Sequence, residues 1–141
     1  MKSRYVSLNI HDGQPPSKWD DLQSLGYIFI YWLKGSLPWM GLRAPDTQQK
    51  YEKIALKKRT ISNEELCRNC PAVFKDFLDM VEEKRLTSAP TEDPDYVNFF
   101  LMFKAAAKKL NIKLDFKYDW SNRNFDAMSL ANKVILLKFN L

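Results

Sequence analysis

The sequence predicts an all-α fold of four main helices joined by long connections. Three observations carry this reading. Leu22–Leu33 is apolar or aromatic at every position except Gln23, Ser24 and Gly26, the composition of a helix covered by protein on every side. In three later segments apolar residues recur three and four apart, the helical period. Ser, Asp, Pro and Gly stand where helix starts and stops want them, and nothing reads as a parallel sheet.

Residues 1–19 carry Gly13, Pro15 and Pro16 without a clear period, so an irregular loop is expected there. Ser17 or Asp20 can cap the first helix, with Asp20 and Asp21 at its dipole-positive start, and Gly35 ends it. The stretch "SLPWMGLRAPD" is a loop punctuated by proline. Asp46 or Thr47 opens a second helix, with Tyr51, Ile54 and Ala55 inward. Ser62 and Glu65 make a capping pattern. Pro71 is expected at the first helical position of a third helix, whose stripe is Val73, Phe74, Phe77, Leu78 and Val81. "SAPTEDPDY" is a turn. Asp95 caps a fourth helix, with Val97, Phe99, Phe100, Met102, Phe103, Ala106 and Leu110 on its apolar side. "KLDFKYDW" alternates and suits a short strand or an extended tail.

The chain has 141 residues, 45% hydrophobic and 28% charged, which suits one globular domain. The net charge of +5 allows phosphates, acidic peptides or nucleic acid as partners, although a solvated surface accounts for most of the lysines and nucleic acid is not expected. Twelve helical residues cover about 18 Å, short of the roughly 30 Å of a bilayer core, so no membrane span is expected. The start "MKSRYVSLNI" has no apolar signal core. Cys67 and Cys70 form a lone Cys-Arg-Asn-Cys, and His11 is the only histidine. That is too few ligands for zinc, and two reduced thiols in the cytoplasm or nucleus are expected.

The ordered stretches "SRYVSLN", "DDLQSLGYIFIYWLKGSLPWMGL", "QQKYEKIALKK", "LCRNCP", "PDY" and "YDW" resemble the casein kinase 1 family of serine/threonine protein kinases. The likeness runs from about Ser3 to Trp120, with an insertion in "RLTSAPTEDPDY". It implies a partial kinase domain over residues 1–120, the helical lower part of the large lobe, and leaves the tail 121–141 unassigned. Ser7-Leu8-Asn9 falls where the family has Ser-Ile-Asn after the activation loop. Leu22–Leu33 falls on the central helix of the lobe. Asp21, with Leu25 and Gly26 completing Asp-x-x-x-Leu-Gly, matches the kinase aspartate that is buried and accepts backbone hydrogen bonds from the catalytic loop. Asp20 is left as a cap.

The parts that transfer phosphate are absent from this sequence. There is no Gly-rich loop, no Val-Ala-Ile-Lys type motif and no Asp-Phe-Gly; His11-Asp12-Gly13 is not a His-Arg-Asp loop. No catalytic residue and no metal site is therefore assigned, and the family's cofactors, ATP and magnesium, have no site in this chain. Such a sequence suits a shortened relative or a piece of a longer protein, inactive by itself.

Other sites implied by the resemblance do fall within the chain. The family holds an anion beside its substrate groove, and the matching positions are Arg4, Gly41 and Lys50, with Met40 where a glutamine is usual. A guanidinium fork, a glycine N–H and a lysine are suitable phosphate donors; ordinary surface cations are the plain alternative. Arg85 matches the arginine that pins the end of the activation segment, with Asn9 as its acceptor. Lys57–Arg59, after Lys50 and Lys53, resembles a family segment tied to localisation, and also reads as a solvated helix end. Trp39 is expected to pack. An acidic or phosphorylated protein or peptide is the expected partner. Leu22–Leu33 should leave apolar residues uncovered, among Leu22, Leu25, Ile28, Phe29 and Trp32. The remaining kinase lobe, self-association or the tail 121–141 could cover them.

Overall fold

The computed structural model describes residues 3–89, 91–113 and 115. The chain divides into two compact units, Met1–Ala106 and Ala107–Leu141. The elements are α1 (Leu8–His11), α2 (Lys18–Lys34), α3 (Thr47–Thr60), α4 (Asn63–Leu66), α5 (Ala72–Thr87) and α6 (Tyr96–Lys109). All secondary structure among the described residues is helical, and four of the helices are long, as the sequence predicts. In the second unit the chain leaves α6 through Asn111 at φ 55°, with the Ile112 N–H donating to the Ala107 carbonyl at 2.9 Å. The alternating "KLDFKYDW" and the tail 121–141 lie outside the described residues, apart from Lys113 and Asp115.

Two expectations about helix starts change. The N-terminal stretch is not wholly irregular, because α1 forms behind Ser7, whose side chain accepts the Ile10 N–H. Four residues cannot sustain a helix alone. This turn is held from outside, by the buried Gln23 side chain accepting the Leu8 N–H at 2.9 Å. Pro71 is the N-cap of α5, not its first helical residue; its ψ of 139° is extended, so the helix begins at Ala72. The other caps follow the sequence. Asp20 Oδ2 accepts from the Ser17 N–H (2.8 Å) and hydroxyl (2.7 Å). Asp46 accepts from Gln49 at 2.7 Å, Ser62 from Glu65 at 3.1 Å and Asp95 from Asn98 at 2.9 Å. Gly35 closes α2 at φ 72°, where a side chain would be strained.

The core lies between α2 and α5. Trp19, Leu22, Tyr27 and Ile30 of α2 pack with Phe77, Leu78 and Val81 of α5, and Leu37, Trp39, Ile54, Leu66 and Phe99 join them. Gly26 is what lets the two helices meet. A Cβ built there would lie 2.4 Å from Leu78 Cδ2 and 3.3 Å from the Phe77 ring. Phe77 in turn anchors an aromatic cluster, with ring centroids 5.1 Å from Phe99, 5.5 Å from Phe103 and 5.9 Å from Phe29. Such offset and edge-on pairs add about 0.5–1.5 kcal/mol each beyond area burial.

Not every expected core residue is inside. On α6, Phe99 is buried and Met102 and Phe103 pack against the core, but Val97 and Phe100 are exposed. On α2, Leu22 is buried, Ile28 and Phe29 are half-buried, and Leu25 and Trp32 are exposed, Trp32 by 71%. Asp21, Leu25, Ile28 and Trp32 share one face of the helix by their spacing, so α2 is covered on one side and open on the other.

Gly26→Ala weighs two opposed effects. Alanine favours the helix by about 1 kcal/mol, while overpacking a dense core costs about 1–3 kcal/mol. Leu78 and Phe77 are both buried and cannot swing aside. Urea unfolding should therefore show Gly26→Ala less stable than the parent and Gly26→Val less stable still. A stabilised Gly26→Ala would contradict the close approach.

Candidate functional site

A cavity of about 580 Å³ opens between the N-terminal segment, the loop after α2 and the first half of α3. Arg4 comes from the first, Met40 and Gly41 from the second and Lys50 from the third. Residues far apart in sequence thus converge on one concavity, and the set is the one the family resemblance marks. Each has a local reason for its place. Gly41 holds φ at 78°, a conformation other residues adopt only under strain. Lys50 follows the Asp46 cap by one turn of α3. The Arg4 guanidinium carbon lies 5.8 Å from the Tyr5 ring centroid and 5.7 Å from that of Tyr31, a cation–π arrangement that holds the side chain. Among the described residues neither Arg4 nor Lys50 forms an ion pair.

The N-terminal segment has no helix of its own before Leu8, so side chains from elsewhere fix it. Buried Trp39 donates its indole N–H to the Arg4 carbonyl at 2.7 Å. Lys58, expected in a solvated run, is 4% exposed. Its ammonium donates to the Ser3 carbonyl (2.9 Å) and the Val6 carbonyl (2.6 Å), and lies 3.1 Å from His11 Nε2. Three acceptors match its three donors. The faces of Tyr27 and Trp39 lie 5.1 and 5.2 Å away. Among the described residues no carboxylate pairs with it, and burial pulls the Lys58 pKa down to about 7. Burial first, then the charges of Lys58 and Arg59, lower His11 to about 4. The ring is therefore neutral at pH 7 and can offer Nε2 as an acceptor. The other basic residues of this stretch stay near the surface. Arg59 pairs with Asp12, and Lys53 donates to the Arg43 carbonyl at 3.0 Å.

Arg85 and Asn9, 76 residues apart, are joined directly. Arg85 Nη1 donates to Asn9 Oδ1 at 2.6 Å, both side chains half-buried. Asp21 is not joined to any other predicted site residue. It is exposed and has no side-chain hydrogen bond among the described residues, whereas its neighbour Asp20 is 2% exposed and carries one unpartnered oxygen. The burial expected at Asp21 is thus found at Asp20 in this chain, because Asp21 stands on the open face of α2. Cys67 and Cys70 are both free. Cys67 is in the core, where burial pushes its thiol up to about 12. Among the described residues no group of three or more His, Cys, Asp and Glu side chains is placed to hold a metal, and no helix is long and apolar enough to cross a membrane.

The all-helical fold, with the relatives it matches over part of their length, is the helical part of a protein-kinase large lobe, reduced to a segment. Over 122 residues the chain is 41% identical to casein kinase I homolog 3 of Schizosaccharomyces pombe, covering 86% of this chain and 27% of the relative. It is 37% identical over 122 residues to casein kinase I homolog 2 of Saccharomyces cerevisiae, with 86% and 22% covered. For casein kinase I homolog 3 of the same yeast the figures are 39% over 124 residues, 86% and 23%. No protein-family model matches the chain. The chain is a casein kinase I-like segment, spanning about a quarter of the length of the curated relatives it matches.

Lys58 gives this region a pH signature. Between pH 7 and its ordinary value of 10.5, the unfolded chain binds a proton there that the folded chain does not. Stability therefore rises with pH from about 7. Above the ordinary thiol value of 9.0, Cys67 pulls the other way, since its raised pKa makes the folded state the better proton binder. His11 adds a separate rise between pH 4 and 6.5. Urea unfolding across pH should show both rises in the parent. Lys58→Met should flatten the rise from pH 7 to 9 and keep the lower one. An unchanged upper rise would remove Lys58 from this role.

Proposed function

We propose that this chain forms the substrate-side part of a casein kinase 1-like serine/threonine kinase and holds an acidic or phosphorylated segment of a protein in the Arg4–Gly41–Lys50 cavity. The observation that carries this is the convergence on one cavity of a left-handed glycine and two cations that form no ion pair among the described residues. Charge-assisted bonds from a guanidinium fork and an ammonium suit a phosphate. The Arg85–Asn9 bond supports a role in anchoring the segment after the activation loop, since Asn9 directly follows Ser7-Leu8.

On this reading Asp21 and the open face of α2 meet the rest of a kinase lobe. A carboxylate at the head of the apolar stripe Leu25, Ile28 and Trp32 can accept two backbone N–H groups at once, as the catalytic loop of the family requires. Self-association through the same stripe is the alternative cover, because exposed Leu and Trp side chains favour burial by about 1.5–3 kcal/mol each. Free cysteines suit a reducing compartment, the cytoplasm or nucleus.

The sequence carries none of the motifs that cradle ATP, bind magnesium or supply a catalytic base, so the chain by itself is expected to be inactive. Incubated with ATP–magnesium and casein, it should transfer no phosphate, and calorimetry should show no saturable ATP binding at millimolar concentration. Phosphate transfer or saturation would refute this. A second reading is a non-catalytic module for acidic or phosphorylated peptides, favoured by Arg4, Gly41 and Lys50 meeting at one cavity while the nucleotide motifs are lacking from the sequence.

Both readings place phosphate on Arg4 and Lys50. A phosphoserine peptide should bind more tightly than its unphosphorylated twin, and the difference should shrink as salt rises, because exposed charges are screened beyond about 8 Å at physiological ionic strength. Arg4→Ala with Lys50→Ala should abolish the preference. Equal binding of the two peptides to the parent would refute the pocket.

A further inference from the structure

We infer that the cavity recognises a phosphorylated residue together with an aromatic side chain beside it, so that its ligand class is a phosphoserine or phosphothreonine peptide with an adjacent aromatic residue. This rests on the anion-pocket reading and narrows it. The first observation is size. About 580 Å³ is the scale of a pocket for a whole small molecule, many times what one phosphate group fills.

The second is where charge and grease lie. Arg4, Gly41 and Lys50 are exposed at the rim, Tyr5, Met40 and Tyr51 are half-buried walls, and Trp39 and Ile54 are buried beneath. The third is an account of donors. The Trp39 indole N–H is used by the Arg4 carbonyl, and the Tyr51 hydroxyl donates to the Ile10 carbonyl at 3.4 Å. Met40 offers only a thioether, and its sulfur accepts the Leu37 N–H at 3.3 Å. Among the described residues the side chains of Trp39, Tyr51 and Met40 thus have no free donor for an anion, while the hydroxyls of Ser3, Tyr5 and Thr47 also line the cavity. The exposed cations Arg4 and Lys50 draw a phosphate to the rim, and the side of the cavity formed by Met40, Tyr51 and Ile54 remains beside it. Thioether and aromatic walls are favourable partners for an aromatic ring. A peptide supplies both groups when the phosphorylated residue and an aromatic one are neighbours.

The test uses the full 141-residue chain and fluorescein-labelled peptides in four forms. Phosphoserine is flanked on both sides by Phe or on both sides by Gly, and each has an unphosphorylated twin; binding is read by anisotropy. The Phe-flanked phosphopeptide should bind about tenfold more tightly than the Gly-flanked one, about 1.4 kcal/mol. Met40→Gln, which places an amide in the wall, should reduce that gain to below about threefold and leave the phosphate gain in place. Arg4→Ala with Lys50→Ala should remove the phosphate gain from both peptides. Circular dichroism on each variant confirms that it is folded. If Phe and Gly flanks bind equally while phosphate still tightens binding through Arg4 and Lys50, the inference falls and the anion pocket stands. If phosphate gives no gain with either flank, both fall.

Discussion

The contact of α2 with α5 at Gly26 is the constraint on which the remaining architecture depends. A hydrogen in place of a side chain lets Leu78 and Phe77 reach the helix backbone. From that approach follow the burial of Tyr27 and Ile30 and the position of the Phe77 aromatic cluster. It also fixes which face of α2 is spent on the core. A helix has one circumference, and the side that meets α5 leaves Asp21, Leu25, Ile28 and Trp32 on the other. The open stripe and the tight core are two results of the same geometry.

The cavity depends on this core at one remove. Its N-terminal wall is a segment of turn and bend with no helix before Leu8, so it borrows order from buried side chains of other elements. Trp39 and Lys58 grip its carbonyls, Gln23 takes the Leu8 N–H, and Arg85 takes the Asn9 amide oxygen. Each donor or acceptor lies in or near the core and reaches outward. Arg4 is therefore presented by a backbone anchored at several points, and its guanidinium is further steadied by the Tyr5 and Tyr31 rings. Rigid presentation lowers the ordering entropy lost when an anion binds.

Much of the fold was legible because periodicity and caps are local. The stripes of α3 and α5 and the caps at Asp46, Ser62 and Asp95 needed only neighbouring residues to be read. The family likeness led to Arg4, Gly41, Lys50, Asn9 and Arg85, which composition could not single out from other surface residues. What escaped depends on distant partners. α1 exists because Gln23 and Ser7 hold it, and no pattern within residues 1–19 announces that. Lys58 looked like one cation in a basic run; its burial comes from Ser3, Val6 and His11, more than forty positions away. On α6, apolar residues occupy more of the circumference than the core can cover, so periodicity placed Val97 and Phe100 inside when the packing left them out. The burial expected at Asp21 turned on the same limit, since sequence spacing cannot tell which side of α2 is covered within this chain.

The two free cysteines, which take no part in the cavity, give the molecule a chemical gauge. Cys67 is enclosed by the core and held as a thiol by burial, while Cys70, three residues on, is only half-enclosed. Alkylating reagents act on thiolates and need access. Cys70 is then the site that accepts a label in the native protein, and Cys67 reacts as the packing around Leu66 and α5 opens. The ratio of doubly to singly modified chains counts those openings, turning two unremarkable side chains into a clock for local breathing.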